Sequence, residues 1–175
     1  MFNYCPSCAS PNIRFEDAHV FKCPDCGFVY YHSTAAATAL IVDTGGSIMF
    51  VRRGKEPAPG KLDLPGGFVD PREGAIDGIL RECREELGWT PERSSLTLFA
   101  SFPNVYHYKN IVYNTCDLFF SVRLDEAVEK IESLFRLQRQ EIASVVFAGY
   151  DKINLDDIAF DSVKAAISLY LQKLK

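Results

Sequence analysis

Residues 66–89 decide how this chain is read: Gly66-Gly67-Phe68-Val69-Asp70-Pro71-Arg72-Glu73-Gly74-Ala75-Ile76-Asp77-Gly78-Ile79-Leu80-Arg81-Glu82-Cys83-Arg84-Glu85-Glu86-Leu87-Gly88-Trp89. Within it, Ile76, Ile79, Leu80, Cys83 and Leu87 recur at helical spacing, which predicts a helix over 74–87 with one apolar side. Asp70-Pro71-Arg72-Glu73 reads as a capped entry with proline in the first turn, and Gly88 as the stop. Glu82, Glu85 and Glu86 stand at i, i+3 and i+4, so the helix gathers three carboxylates beside its buried stripe. Two carboxylates ~5 Å apart repel by about 3 kcal/mol at an effective dielectric near 20. Solvent and pairing to Arg81 and Arg84 would relieve this on an ordinary acidic helix. A hard divalent cation such as Mg²⁺ or Mn²⁺, carrying substrate phosphates with it, would relieve it in a functional one.

Upstream, Ala36–Val42 reads as a buried strand, Asp43-Thr44-Gly45-Gly46 as a tight turn and Ile48–Arg52 as the partner strand. Residues 54–63, with Gly54, Pro57, Pro59 and Gly60, form a loop, and Leu62 and Leu64 lead into the glycine pair. Downstream, Leu96–Phe102, Ile111–Leu124 and Ala143–Phe147 read as strands, and residues 125–140 permit a helix. Val163, Ala166, Ile167, Tyr170, Leu171 and Leu174 form one face of a closing helix that starts at Asp161 or Ser162. Alternating strands and helices predict an α/β layered domain. The full chain has 175 residues, with 19 Lys and Arg against 23 Asp and Glu for a formal charge of −4. That balance argues against gripping nucleic acid by bulk charge. No run approaches the ~20 apolar residues of a membrane span, and the N-terminus lacks the basic and apolar regions of a signal peptide. A cytoplasmic protein is expected.

Residues 1–32 are of another kind. Cys5-Pro6-Ser7-Cys8 and Cys23-Pro24-Asp25-Cys26-Gly27 are two CxxC knuckles, separated by enough chain for a hairpin and too little for a core. Short β-like pieces lie at Ile13–Phe15, Val20–Lys22 and Phe28–Tyr31. Four thiolates in this spacing suit structural Zn²⁺ with no open position for catalysis. Iron in a rubredoxin-like site and redox-active dithiols are the rival readings. The segment carries Arg14 and Lys22 against Glu16, Asp17 and Asp25, so no basic patch meets phosphates. The division expected is a zinc ribbon at 1–32 and a larger domain at 33–175.

The run Gly67-x5-Glu73-x7-Arg81-Glu82-Cys83-x-Glu85-Glu86-x-Gly88-Trp89 resembles the Nudix box at every defined position. The resemblance implies a Nudix α/β/α sandwich with a mixed sheet and a metal-dependent hydrolase that cleaves a nucleoside diphosphate linked to another moiety. It implies that Glu82, Glu85, Glu86 and the carbonyl of Gly67 hold two or three Mg²⁺ or Mn²⁺ ions. It further implies that Glu73 and Arg81 prop the loop against the helix. Many members add a later acidic residue, a position Glu141 matches in Arg139-Gln140-Glu141-Ile142; a surface glutamate is the plainer reading. The resemblance implies a general base among Glu82, Glu86 and Glu141, since related enzymes differ here. A ribbon directly before such a domain, with Gly66-Gly67-Phe68-Val69-Asp70 entering the box, resembles the NADH pyrophosphatase branch. This chain departs from that branch at Ser101-Phe102-Pro103-Asn104-Val105-Tyr106-His107-Tyr108, where the branch carries a tryptophan between prolines.

Substrate contacts are expected from Phe68 and from Phe102, Tyr106, Tyr108 and Tyr113, whose rings stack a base or simply pack strands. Arg52 and its neighbour Arg53 are expected either to clamp a phosphate or ribose or to be solvated at the strand end. His19, His32 and His107 receive no role, and Cys83 and Cys116 read as core positions. The expected reaction is cleavage of the diphosphate in an NADH-, NAD- or ADP-ribose-like small molecule. FAD or nucleoside triphosphate cleavage is the alternative, and so is a non-catalytic nucleotide sensor. NAD-capped RNA is the one nucleic-acid substrate kept open, and a homodimer is an expectation from family resemblance.

Overall fold

The computed structural model describes residues 2–16, 19–138 and 140–174; Asp17, counted in the ribbon's charge balance, and Arg139 fall outside them. The chain divides into two compact units, residues 1–34 and 35–175. In the first, β1 (Arg14–Glu16), β2 (Val20–Lys22) and β3 (Val29–Tyr31) form an antiparallel sheet in that order. Its core is small: Phe21, 1% exposed, sits with Cys5 and Cys23. The rings of Phe2, Phe15 and Phe28 meet Phe21 edge-on at 5.2, 5.3 and 6.1 Å.

The second unit is built on a mixed seven-stranded sheet. Its elements are β4 (Ala35–Asp43), β5 (Ser47–Arg53), β6 (Leu62–Asp63), β7 (Gly66–Phe68), α1 (Ala75–Leu87), β8 (Thr97–Tyr108), β9 (Ile111–Arg123), α2 (Val128–Ser133), β10 (Ile142–Gly149) and α3 (Asp161–Lys173). The main path runs β10-β5-β4-β9-β8, with β4 and β9 parallel and the other neighbours antiparallel. Period-two alternation sorts the side chains to two faces. Leu40, Val42, Met49 and Val51 meet Ile79, Cys83 and Leu87 of α1 on one side. Ala39, Ile41, Ile48 and Phe50 meet Val163, Ala166 and Ile167 of α3 on the other. The result is the expected α/β/α sandwich.

Two local features open the site. β4 and β5 pair through only two steps, Val42↔Met49 and Asp43↔Ile48, and then part. Beyond the split β4 takes β7 as its partner and β5 takes β6, leaving a cleft whose edge is the glycine loop. Gly66 has φ +148, and a Cβ there would stand 2.0 Å from the carbonyl oxygen of Thr38, so only glycine fits against β4.

Two expectations about local structure need correction. The helix starts at Ala75 with Gly74 as N-cap and no side-chain cap bond, so Asp70–Glu73 is a loop preceding it. Glu73 instead accepts from the Asp70 N–H at 3.0 Å and from Arg81. β8 does not end at Phe102 but runs through Pro103 to Tyr108. Pro103 is tolerated because β8 is an edge strand with one side unpaired. The helix that residues 125–140 permit is the short α2. Among the described residues, no helix is long and apolar enough to cross a membrane.

Candidate metal centre and substrate cleft

The four cysteines of the first unit converge. Their sulfurs lie within 4.8 Å of one another, with Cys5 Sγ to Cys26 Sγ at 3.6 Å and Cys8 Sγ to Cys23 Sγ at 3.7 Å. Tetrahedral Zn–S bonds of ~2.3 Å separate sulfurs by about 3.8 Å, so the set fits a zinc ion. The turns that aim them are alike: Ala9 N–H donates to the Cys5 carbonyl and Gly27 N–H to that of Cys23, with positive φ at both Ala9 and Gly27. Burial pushes the Cys5 thiol up. The Cys8 and Ser7 amides and the Cys26 and Cys23 thiols outweigh it and bring that thiol down to about 7, while Cys8, despite the Ser10 amide, is pushed up by the neighbouring thiols and Cys23 by its burial.

In the second unit, α1 carries the carboxylates to the glycine loop. Glu86 is 9% exposed, and its Oε2 accepts the Gly66 N–H at 3.0 Å. No Lys, Arg or His among the described residues pairs with it. Burial, reinforced by the charges of Glu82, Asp63 and Glu141, pushes its carboxyl up to about 8 despite the Gly66 amide. Burial also raises Glu82, against the pull of Arg81. The carboxylate of Glu82 backs onto the loop, where a Cβ at Gly67 would meet its Oε1 at 2.6 Å.

Arg81 fixes this arrangement. Its guanidinium forks onto Glu73 through Nε at 3.1 Å and Nη2 at 3.0 Å, and Nη2 also reaches the Phe68 carbonyl at 2.9 Å. Nη1 donates to Glu82 Oε1 at 2.8 Å and to Glu85 Oε2 at 3.2 Å. One planar group thus ties β7, the entry loop and two helix carboxylates together. Glu85 is the outer member: its side chain is half exposed, and Glu85 is not among the residues lining the cleft.

Glu141 arrives from a distance in sequence. It precedes β10, whose register pairs Ile142 with Arg53, and its backbone carbonyl accepts the Gly54 N–H at 2.8 Å. It therefore lines the same cleft, of about 290 Å³, as Glu82, Glu86, Gly67 and Phe68.

The expected substrate contacts divide. Phe68 and Tyr106 both line the cleft, their rings 5.5 Å apart and edge-on, and Tyr113 flanks Phe68 at 5.7 Å. Phe102 packs on Phe119 in the α3-side core, and Tyr108 is exposed at the hairpin end beside Lys109. Arg52 points away, donating to the Gly60 carbonyl at 2.6 Å; alternation along β5 sends Arg53 inward in its place. Cys83 is buried as expected, whereas Cys116 is exposed on β9.

Other cleft residues carried no signal in the sequence. Asp63 and Asp117 are each 8% exposed. Asp117 accepts from Thr115 and Ser162, both at 2.6 Å, while Asp63 accepts from Arg53 at 2.7 Å. Burial pushes the Asp63 carboxyl up to about 6 even with Arg53 beside it. Phe160 roofs Arg53, the guanidinium 4.9 Å from the ring centre. Only alternation on β9 hinted that Thr115 and Asp117 share a face.

This loop, helix and sheet define a Nudix fold, and the chain belongs to the NUDIX domain family, whose model matches residues 32–167. Over 85 residues it is 31% identical to an NAD-capped RNA hydrolase NudC of Stutzerimonas stutzeri, a match covering 49% of this chain and 30% of that protein. Over 76 residues it is 33% identical to an ADP-ribose pyrophosphatase of Methanocaldococcus jannaschii, covering 43% and 44%. The match thus spans about a third to under half the length of these relatives. A solved Nudix hydrolase from Nitrosomonas europaea superposes with a TM-score of 0.68 at 20% identity, over 98% of this chain and 92% of that one.

Proposed function

We propose that this chain is a Nudix pyrophosphatase that hydrolyses the diphosphate of an ADP-ribose- or NADH-like molecule, with a structural zinc ribbon at residues 1–32 and the catalytic domain at 33–175. One observation carries the reading. Glu86, buried with no basic partner among the described residues, shares a single cleft with Glu82, Glu141 and the Gly67 backbone. A protein that keeps such a carboxyl at a folding cost is expected to use it on a cation. The donors are all hard oxygens, which fit Mg²⁺ or Mn²⁺. Glu82, Glu86, Glu141 and the Gly67 carbonyl would hold the ions, with Glu85 at the outer edge. Bound there, divalent ions neutralise the diphosphate and lower the pKa of attacking water.

The chain's own residues do the remaining work. Arg81 holds Glu82 and the Phe68 carbonyl in fixed relation, so the ligand set is positioned before substrate arrives. The proton acceptor lies among Glu82, Glu86 and Glu141, the box and rim carboxylates that line the cleft. Phe68 and Tyr106 offer apolar ring surface to a base or nicotinamide beside the diphosphate. The substrates named for the two relatives support the class, since NAD-capped RNA and ADP-ribose both contain adenosine joined through a diphosphate to a second ribose.

The test is product analysis with Mg²⁺ or Mn²⁺ and a panel of NADH, NAD, ADP-ribose, FAD, dNTPs and NAD-capped RNA, with Glu82→Gln alongside. Release of AMP from ADP-ribose or NADH, abolished in the variant, is expected. Binding of a nucleotide with no cleavage of any panel member would overturn the enzymatic reading in favour of a sensor.

A further inference from the structure

Six acidic side chains line the cleft, Asp63, Asp70, Glu82, Glu86, Asp117 and Glu141, against two basic ones, Arg53 and Lys55. A diphosphate entering so acidic a recess gains from cationic contacts beyond any bridging ions. Arg53 is already committed. Nε donates to the Pro57 carbonyl at 2.7 Å, Nη1 to Asp63 at 2.7 Å, the guanidinium lies under Phe160, and the side chain is 13% exposed.

Lys55 is held differently. Among the described residues its ammonium has one partner, Glu141 Oε2 at 2.6 Å, and both side chains stay partly exposed at 49% and 36%. An ammonium has three donors, so two remain after that contact. The backbone holds the pair together. Gly54 N–H donates to the Glu141 carbonyl, a Cβ at Gly54 would lie 3.0 Å from that oxygen, and the next residue, Ile142, is in register with Arg53. Lys55 and Glu141 therefore face each other at the cleft rim by construction.

We infer that Lys55 is an exchange residue: it neutralises Glu141 until the cleft is loaded, then yields that carboxylate to the divalent cation and donates to a non-bridging oxygen of the diphosphate. The inference rests on the pyrophosphatase reading above. It requires that Lys55 oppose metal binding and favour nucleotide binding, two effects of opposite sign from one side chain. A rim ion pair with no further role would, on loss of Lys55, free Glu141 for the metal but leave nucleotide affinity unchanged.

The test uses the full chain with its cysteines loaded with zinc. Mn²⁺ binding is followed by EPR titration, and binding of α,β-methylene-ADP in saturating Mn²⁺ by calorimetry. Lys55→Met is expected to tighten Mn²⁺ about threefold and to weaken α,β-methylene-ADP about tenfold. Lys55→Arg is expected to recover most of the nucleotide affinity. Unchanged nucleotide affinity in Lys55→Met, or weakening of both ligands together, overturns the exchange role while leaving the pyrophosphatase reading standing. A wild-type protein that binds neither Mn²⁺ nor α,β-methylene-ADP overturns both.

Discussion

Replacing Glu86 by Gln sets function directly against stability. In the folded chain without divalent ions the Glu86 carboxyl keeps its proton to about pH 8, against 4.5 for an ordinary glutamate, because it is buried among other acids. A raised carboxyl pKa has a definite sign. Its contribution to stability is fully present below 4.5 and is lost as pH rises toward 8, because the unfolded chain releases a proton that the folded chain retains. Integrating between those values, the ionisable group costs about 1 kcal/mol at pH 5, about 3 kcal/mol at pH 7 and about 4 kcal/mol at pH 8. Glutamine keeps an oxygen for the Gly66 N–H and never ionises, so this cost disappears. Glu86→Gln is therefore expected to be more stable than wild type in metal-free buffer, with a margin widening from pH 5 to pH 8. Asp63 and Glu82 titrate in both proteins and largely cancel in the difference. The assay is urea unfolding followed by the fluorescence of Trp89, the sole tryptophan, which packs on Phe135 in the second unit. Adding Mn²⁺ should reverse the order by stabilising wild type and leaving the variant unmoved. A margin that stays constant with pH, or a variant less stable than wild type at pH 8, would refute the reasoning.

Further outcomes follow from single contacts. Gly66→Ala places a Cβ 2.0 Å from the Thr38 carbonyl oxygen at φ +148, so loop and strand must part; the melting temperature should drop sharply and Mn²⁺ binding should be lost. Asp43, fully buried, accepts from Tyr150 at 2.5 Å, Tyr170 at 2.9 Å and the Gly45 N–H at 2.7 Å. Asp43→Ala strands these donors and should cost about 3 kcal/mol in the same unfolding assay, whereas a loss below 1 kcal/mol would show that water replaces the carboxylate. Cys8→Ser should lower bound zinc from one ion per chain to near zero by elemental analysis, and amides of β1–β3 should lose hydrogen-exchange protection.

Much of the site was legible in sequence because it is local. Glu82, Glu85 and Glu86 lie on one helix, where a fixed advance per residue brings them together whatever the rest of the chain does. Arg81 and Glu73 belong to the same short motif. The cysteine pairs are likewise self-contained turns, each aiming two sulfurs by its own hydrogen bonds.

The remainder depended on pairing between distant strands. Arg53, and not Arg52, enters the cleft because β5 is locked between β4 and β10 in one register, and a shift by one residue would exchange them. Phe102 joins the α3-side core instead of the cleft because the sheet face it shares with Phe119 lies under that helix. Asp117 and Thr115 reach the cleft from β9, Phe160 from the residue before α3, and Ser162 of α3 holds Asp117 from behind, in elements whose own sequences are ordinary amphipathic patterns. Glu141 meets Lys55 only because β10 returns beside β5. Sequence alone determined the carboxylate and thiol clusters that one helix or one turn can assemble, since local geometry has few solutions. Which side chains surround them was decided by tertiary structure, because strand register is set by the burial of the whole sheet.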